Sequence, residues 1–379
     1  MSIHEGGRLA AMASSAFARV LFTVLFTIRL AILLALSSLA GLLLAPSAAW
    51  AAPSIGAVQL TPTSIAGRYL KRHPDGITTL VFEVADVAAT FAVLEQRGAT
   101  IVDEVTWVDG ADGARIGWFD ITTPFGEGRF RFLERGRGPS RWAGPNPGFE
   151  AVAVGGPTNR YGFEVYDHVT SNFLTLKPMV LWCKEVLGLE EYWEIEFHTE
   201  EARQVASDHG SGLKSVVLWD PHSGVKFANN EPKRPFFESS QIYTFVVDNL
   251  GEGFQHAAIT TKNIIGTVES LRGAGVSFMP TPASYYELLP SRLEALGVGA
   301  IDEDIAVLQG LEILVDGKGP GTYLLQIFLK EAAGLYGDDK AGPFFFEVIQ
   351  RKGDKGFGGG NFRALFDSIE LEQKKRSAA

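Results

Sequence analysis

Apolar and polar positions alternate in several short stretches of this chain. Residues 79–84, 117–121 and 130–133 are strand-like runs dominated by β-branched and aromatic side chains. Longer apolar strands recur between residues 163 and 350. The period changes at the C-terminal end. Phe362, Leu365, Phe366 and Ile369 fall at i, i+3, i+4 and i+7, one face of a helix, with Asn361 placed as its N-cap. This mixture of periods predicts an α+β fold.

The pattern repeats within the chain. Shifted by 177, residues 79–98 fall on 256–275, so that Phe82 meets Ile259, Asp86 meets Asn263, Leu94 meets Leu271 and Gly98 meets Gly275. A second match at offset 216 sets Leu133-Glu134-Arg135 on Ile349-Gln350-Arg351. The two offsets differ by an insertion in the later copy, around residues 280–340. Each copy reads as strand, loop, helix, Gly and new strand, which predicts a duplicated βαβββ unit.

Composition narrows the function classes. The chain has 379 residues and a formal charge of −10, without the basic stripe that nucleic-acid binding needs. A lone cysteine, Cys183, excludes an intramolecular disulfide and a multi-cysteine zinc site.

The N-terminal stretch differs from the rest. No acidic residue occurs between Gly6 and Pro74, and Arg8, Arg19 and Arg29 are the only charges there before Arg68. Apolar runs at 20–28 and 30–45 lead to Ala49-Trp50-Ala51, which fits a small-residue cleavage site. Residues 1–52 are therefore expected to be a targeting leader; a single membrane anchor and a mis-called start are the alternatives. The expected order beyond it is a first module without a metal at 53–140, a Gly/Pro-rich linker at 141–162, a metal-bearing domain at 163–350, and a Gly-rich loop with a terminal helix at 351–379.

Three residues stand out as metal ligands. His168 and His256 lie at strand openings, and Glu347 sits in an otherwise apolar, Phe-rich strand. A buried carboxylate is costly unless paired or metal-bound. Arg351, four residues along an extended strand, is about 13 Å from Glu347 and too far to pair with it. Two imidazoles and a carboxylate leave three facial positions of an octahedron open, as in non-haem Fe(II) sites that use O2; zinc-dependent hydrolysis is the alternative chemistry. The earlier repeat has Thr79 in place of His256 and Arg131 in place of Glu347, so one copy is expected to bind metal and the other not.

These residues lie in motifs that carry a family. Tyr166-Asp167-His168-Val169, Glu252-Gly253-Phe254-Gln255-His256 and Phe346-Glu347-Val348-Ile349-Gln350-Arg351 hold the ligands. Residues 278–286, 310–316, 325–328 and 356–362 follow in matching order. Together they resemble the 4-hydroxyphenylpyruvate dioxygenase family, from about residue 70 to residue 373. The resemblance implies a vicinal-oxygen-chelate fold of βαβββ modules forming open barrels, with a C-terminal lid helix. It implies one Fe(II) per subunit on His168, His256 and Glu347. The implied reaction converts 4-hydroxyphenylpyruvate and O2 to homogentisate and CO2, in tyrosine and phenylalanine breakdown.

By the same motifs, Ser215, Asn230, Gln241, Gln255 and Gln326 match the polar residues of the substrate pocket. Phe328, Phe345, Phe357 and Phe362 match its aromatic wall, with Asn361 beside them. A homo-oligomer, dimer or tetramer, is also implied. The family's usual cytosolic address disagrees with the leader. One alternative keeps substrate and metal: 4-hydroxymandelate synthase, whose members tend to have a smaller aliphatic residue where Phe345 stands. A non-catalytic member of the fold is the other.

Two departures from the family are visible. Ala228 stands where Pro is usual, with Asn229 beside it in place of an apolar residue. At the front, only the second module of the N-terminal domain is recognisable. A half-domain would leave a sheet edge and an apolar face to be covered.

Overall fold

The computed structural model describes residues 22–27, 65–109, 115–136, 159, 161–198, 212–337, 341–361 and 364. In chain order the elements are β1 (Phe22–Thr27), α1 (Ile65–Tyr69), β2 (Gly76–Glu83), α2 (Val87–Gln96), β3 (Thr106–Asp109), β4 (Arg115–Thr122) and β5 (Arg129–Arg135). Then come β6 (Phe163–Asn172), α3 (Lys177–Trp182), β7 (Glu190–His198), β8 (Gly212–Trp219), β9 (Lys226–Pro232) and α4 (Gln241–Asp248). The last set is β10 (Gly253–Thr261), α5 (Ile264–Gly273), α6 (Ala283–Ala295), α7 (Ile305–Leu311), β11 (Leu314–Gly317), β12 (Tyr323–Phe328), α8 (Ala332–Tyr336) and β13 (Phe345–Lys352).

Two sheets result. One has five strands in the order β1-β2-β5-β4-β3, and the other has eight, in the order β11-β12-β13-β10-β6-β9-β8-β7. Within the larger sheet β6 runs parallel to β9 and β10 parallel to β13, while the central pair β6/β10 is antiparallel. That is the topology of two βαβββ modules joined edge to edge.

The internal repeat is exact at the level of register. Thr79 pairs with Arg129 in the first sheet, and His256, 177 residues later, pairs with Phe345, 216 residues later. The helices that follow begin in the same way. Asp86 caps α2 by accepting from the Ala89 N–H, and Asn263 caps α5 by accepting from the Gly266 N–H. Gly98 and Gly275 then take positive φ, +83° and +87°, where a side chain would be strained. The later copy's insertion holds α6 and α7, whose Tyr285, Leu289, Leu293 and Leu308 form a core with Val268 and Leu271 of α5 and with β11 and β12.

Period-two alternation decides which face of the large sheet does what. Val169, Phe227, Ala257 and Phe346 point to one side and join Leu80, Phe82, Phe130 and Phe132 of the first sheet in a common core. Phe130 stacks on Phe227 at 5.5 Å between ring centroids. Burying each such ring contributes roughly 1.5–3 kcal/mol. The sequence neighbours His168, His256 and Glu347 therefore face the other side of the curled sheet.

One sequence expectation differs from this structure. His168 lies well inside β6 rather than at its opening. Phe22–Thr27, within the stretch expected to be a leader, pairs with β2 and covers the edge that a half-domain would leave open. The rest of the leader, most of the linker at 141–162 and most of the terminal helix lie outside the described residues.

Candidate metal centre

Strands β6, β10 and β13 lie side by side, and each contributes one donor to the same face. The ligand atoms of His168, His256 and Glu347 lie within 4.8 Å of one another, and all three residues are buried. Nε2 of His168 is 3.6 Å from Oε2 of Glu347, and Nε2 of His256 is 3.5 Å from the same oxygen.

Both imidazoles are fixed from behind. Nδ1–H of His168 donates to Oδ1 of Asp167 at 2.8 Å, and Nδ1–H of His256 donates to Oε1 of Gln255 at 3.0 Å. Each partner is the residue just before the histidine, which plain alternation would send to the opposite face. The ladder explains how it reaches. Opposite Ala258 and Ile259 stand His168 and Tyr166, so Asp167 is an extra residue in β6. Opposite Ser171 and Thr170 stand Phe254 and His256, so Gln255 is an extra residue in β10. Such bulges re-aim side chains. Here they commit each Nδ1 to a hydrogen bond and leave each Nε2 turned toward Glu347, as the nitrogen available to ligate a metal.

Charge in the site follows from burial. Burial pushes the Glu347 carboxyl up, but the two imidazoles beside it outweigh that and hold it at about 2. Burial pulls both histidines down. Asp167 and Glu347 reverse this for His168, which ends raised, whereas His256 stays lowered. Asp167 is held low despite burial by its bonds to Arg351 and His168. Two buried imidazole nitrogens, which give up any proton to bind a cation, and a carboxylate are the donor set of a divalent cation, and the residues present fit one.

Aromatic rings wall the site. Phe345 stacks on His256 at 4.8 Å, Phe328 meets Phe345 edge-on at 6.0 Å, and Phe357 meets His168 edge-on at 5.0 Å. Phe362 lies outside the described residues. Ser215 and Asn230 are direct ladder partners on β8 and β9, both buried, and Asn230 donates to Oδ1 of Asn172 at 3.0 Å. Gln326 is buried on β12 and Gln241 is exposed in the first turn of α4. Gln255 is placed behind His256 rather than beside the other amides.

Asn361 departs from its expected role as N-cap. Residues 359–361 are already helical, and its side chain instead accepts from the Tyr285 hydroxyl at 2.7 Å and from Arg292 at 3.2 Å. The run Gly358-Gly359-Gly360 has a packing cause. A Cβ on Gly358 would strike the Gln326 amide, one on Gly359 would come within 3.0 Å of Trp193, and one on Gly360 would strike the Asp316 carboxylate. The loop thus lies directly on β12, β7 and β11.

Arg351 was expected to be too far from Glu347, and it pairs elsewhere. It grips Asp167 through two bonds of 2.7 Å. The backing pair Asp167–Arg351 carries no motif logic of its own in sequence, because alternation argues against Asp167 sharing a face with His168.

Duplicated βαβββ modules, with two histidines and a carboxylate on one sheet face, define a metal-dependent enzyme of the vicinal-oxygen-chelate class. Curated relatives agree with that class and narrow it. The chain is 36% identical over 329 residues to 4-hydroxyphenylpyruvate dioxygenase of Caenorhabditis elegans, covering 84% of this chain and 78% of that one. It is 34% identical over 317 residues to the protein of the same name from Dictyostelium discoideum, covering 81% and 80%. The chain belongs to the 4-hydroxyphenylpyruvate dioxygenase family. Among solved structures, a triple mutant of 4-hydroxymandelate synthase from Streptomyces coelicolor superposes with a TM-score of 0.60 at 25% identity, over 83% of this chain and 82% of that one. No protein-family model matches the chain.

Proposed function

We propose that the chain is an Fe(II)-dependent dioxygenase that converts 4-hydroxyphenylpyruvate and O2 to homogentisate and CO2. The observation that carries this reading is the buried triad with both Nε2 atoms turned inward, beside the rings of Phe328, Phe345 and Phe357. Iron(II) on His168, His256 and Glu347, one per chain, would supply the open coordination positions and the redox change that oxidative decarboxylation of a 2-oxo acid needs.

The chain's own residues do the rest. Phe328, Phe345 and Phe357 confine the ring through offset and edge contacts. Ser215, Asn230 and Gln326, with Gln241 from α4, offer donors and acceptors to the phenol hydroxyl and the substrate's polar end. The Gly-rich loop packs directly on Gln326 and Trp193 and excludes water from that side of the site. Zinc-dependent hydrolysis fits the donor set but leaves the aromatic wall without a purpose.

Phe345 also separates this reading from the second one, 4-hydroxymandelate synthesis. Its ring lies flat against His256, where a smaller side chain would open space beside the metal. Two assays test the proposal. Protein loaded with Fe(II) should take up O2 only when 4-hydroxyphenylpyruvate is added; a folded, iron-loaded sample that takes up none would show a non-catalytic member of the fold. Sedimentation of the same sample checks the homo-oligomer that the reading includes.

A further inference from the structure

The two metal-facing histidines are not backed alike. His256 leans on a neutral amide, Gln255, while His168 leans on a carboxylate that is itself held by a guanidinium. Arg351 gives Asp167 two bonds, from Nε to Oδ2 and from Nη2 to Oδ1, both 2.7 Å. Lys226 adds a second cation, its Nζ 3.8 Å from Oδ1. The third nitrogen of Arg351, Nη1, donates to the carbonyl of Gly356 at 2.7 Å and to that of Asp354 at 3.1 Å. Those carbonyls belong to the loop that carries Phe357, and the ring of Phe357 returns to His168 at 5.0 Å. Tyr192 pins the same loop, its hydroxyl donating to the Lys355 carbonyl at 3.1 Å.

We infer that Arg351 and Asp167 are positioning residues that couple metal ligation by His168 to the seating of the Gly-rich loop over the site. This inference rests on the metal-centre reading above. The guanidinium suits the task because its donors lie in one rigid plane. One edge fixes Asp167 and the other fixes two loop carbonyls, so the carboxylate cannot shift without moving the loop. A metal that draws His168 inward and stiffens it holds Asp167, Arg351 and residues 354–356 in register. Without Arg351 the histidine loses its charged backing and the loop loses two anchors at once. A lysine offers a point charge and cannot span both edges.

The full-length chain with Co(II) as the probe tests this, by absorbance titration and by hydrogen exchange over residues 353–361. In the parent protein Co(II) should slow exchange across that loop. In Arg351→Met the Co(II) affinity should fall roughly 10- to 100-fold, and exchange in the loop should stay fast even when the metal site is saturated. Arg351→Lys should recover part of the affinity and none of the loop protection. Asp167→Asn keeps an acceptor for His168 but not the charge, and it should move both readouts in the direction of Arg351→Met. It carries the test if that variant does not fold. Parental affinity, or metal-dependent loop protection, in a folded Arg351→Met or Asp167→Asn protein overturns the coupling. Failure of the parent itself to bind Co(II) overturns the metal-centre reading, a different result from the one that removes Arg351.

Discussion

Arg131 occupies in the first sheet the ladder position that Glu347 occupies in the second. The parallel pairs match residue for residue, with Val81 opposite Arg131 and Ala258 opposite Glu347. Where one copy has the triad's carboxylate, the other has an arginine, and it makes a two-pronged bond to Asp120 at 2.6 and 2.9 Å. The first module thus has an ion pair at the ladder position where the second has Glu347. Removing one partner of such a buried pair leaves the other uncompensated. We expect Arg131→Met to cost about 3 kcal/mol in chemical denaturation, near the low end for buried pairs because Arg129 stays 4.0 Å from Asp120. Metal binding at the triad should be unchanged.

Asn229 gives a test of opposite sign. It is fully buried on β9, its amide N–H donates to the Val216 and Phe227 carbonyls, and its own carbonyl has no partner among the described residues. A buried, unsatisfied polar atom costs roughly 1–3 kcal/mol. Asn229→Leu should therefore raise the denaturation midpoint by about 1 kcal/mol in stability and leave turnover as it was. A lower midpoint would mean that the amide's two donor bonds outweigh its open carbonyl.

Removing a ligand should separate metal from fold. The core on the opposite face of β10 does not depend on His256, so His256→Ala should stay folded by circular dichroism. Its iron content after loading should fall to background, with turnover lost. Retained turnover would take His256 out of the ligand set.

The Gly-rich loop is testable at Gly358, whose φ is +66° and whose missing side chain makes room for Gln326. Gly358→Ala brings both backbone strain, about 1 kcal/mol or more, and a collision with that amide. We expect kcat/KM to drop roughly tenfold, a loss of about 1.4 kcal/mol in transition-state stabilisation, with the midpoint of unfolding lowered by that strain. Parental kcat/KM would show that the loop does not order the pocket.

The metal-free chain should respond to acid through Glu347. Its folded-state value is depressed to about 2 from an ordinary 4.5. A depressed carboxylate contributes stability that is present above the unfolded value and is lost as pH falls through the folded one. Stability of the metal-free protein should therefore decline between pH 4.5 and about 2, and Glu347→Gln should flatten that decline. An unchanged profile in the variant would assign the acid sensitivity elsewhere, with Asp167 the first alternative.

Much of this was legible in the sequence because it is carried by periodicity and by spacing. The strand runs at 117–121 and 130–133 fall in β4 and β5, that at 79–84 runs one residue past the end of β2, and the offsets of 177 and 216 reappear as one shared register. Glu347 could be singled out because a carboxylate among phenylalanines demands a partner. What escaped was set by local irregularity and by tertiary contact. The bulges at Asp167 and Gln255 invert the face on which alternation would place them, and no sequence pattern announced them. Asn361 reads as a cap by type and position, yet Tyr285 and Arg292, brought close by the inserted α6, take its side chain instead. The mate of Arg351 lies 184 residues away, a pairing that only the fold supplies.

The most direct test of the central claim is the product formed from 4-hydroxyphenylpyruvate under isotopically labelled O2 by the iron-loaded protein. The account predicts homogentisate carrying both labelled oxygen atoms, with one CO2 released per turnover. Labelled 4-hydroxymandelate, or substrate recovered unchanged from a folded protein with iron bound, would contradict it.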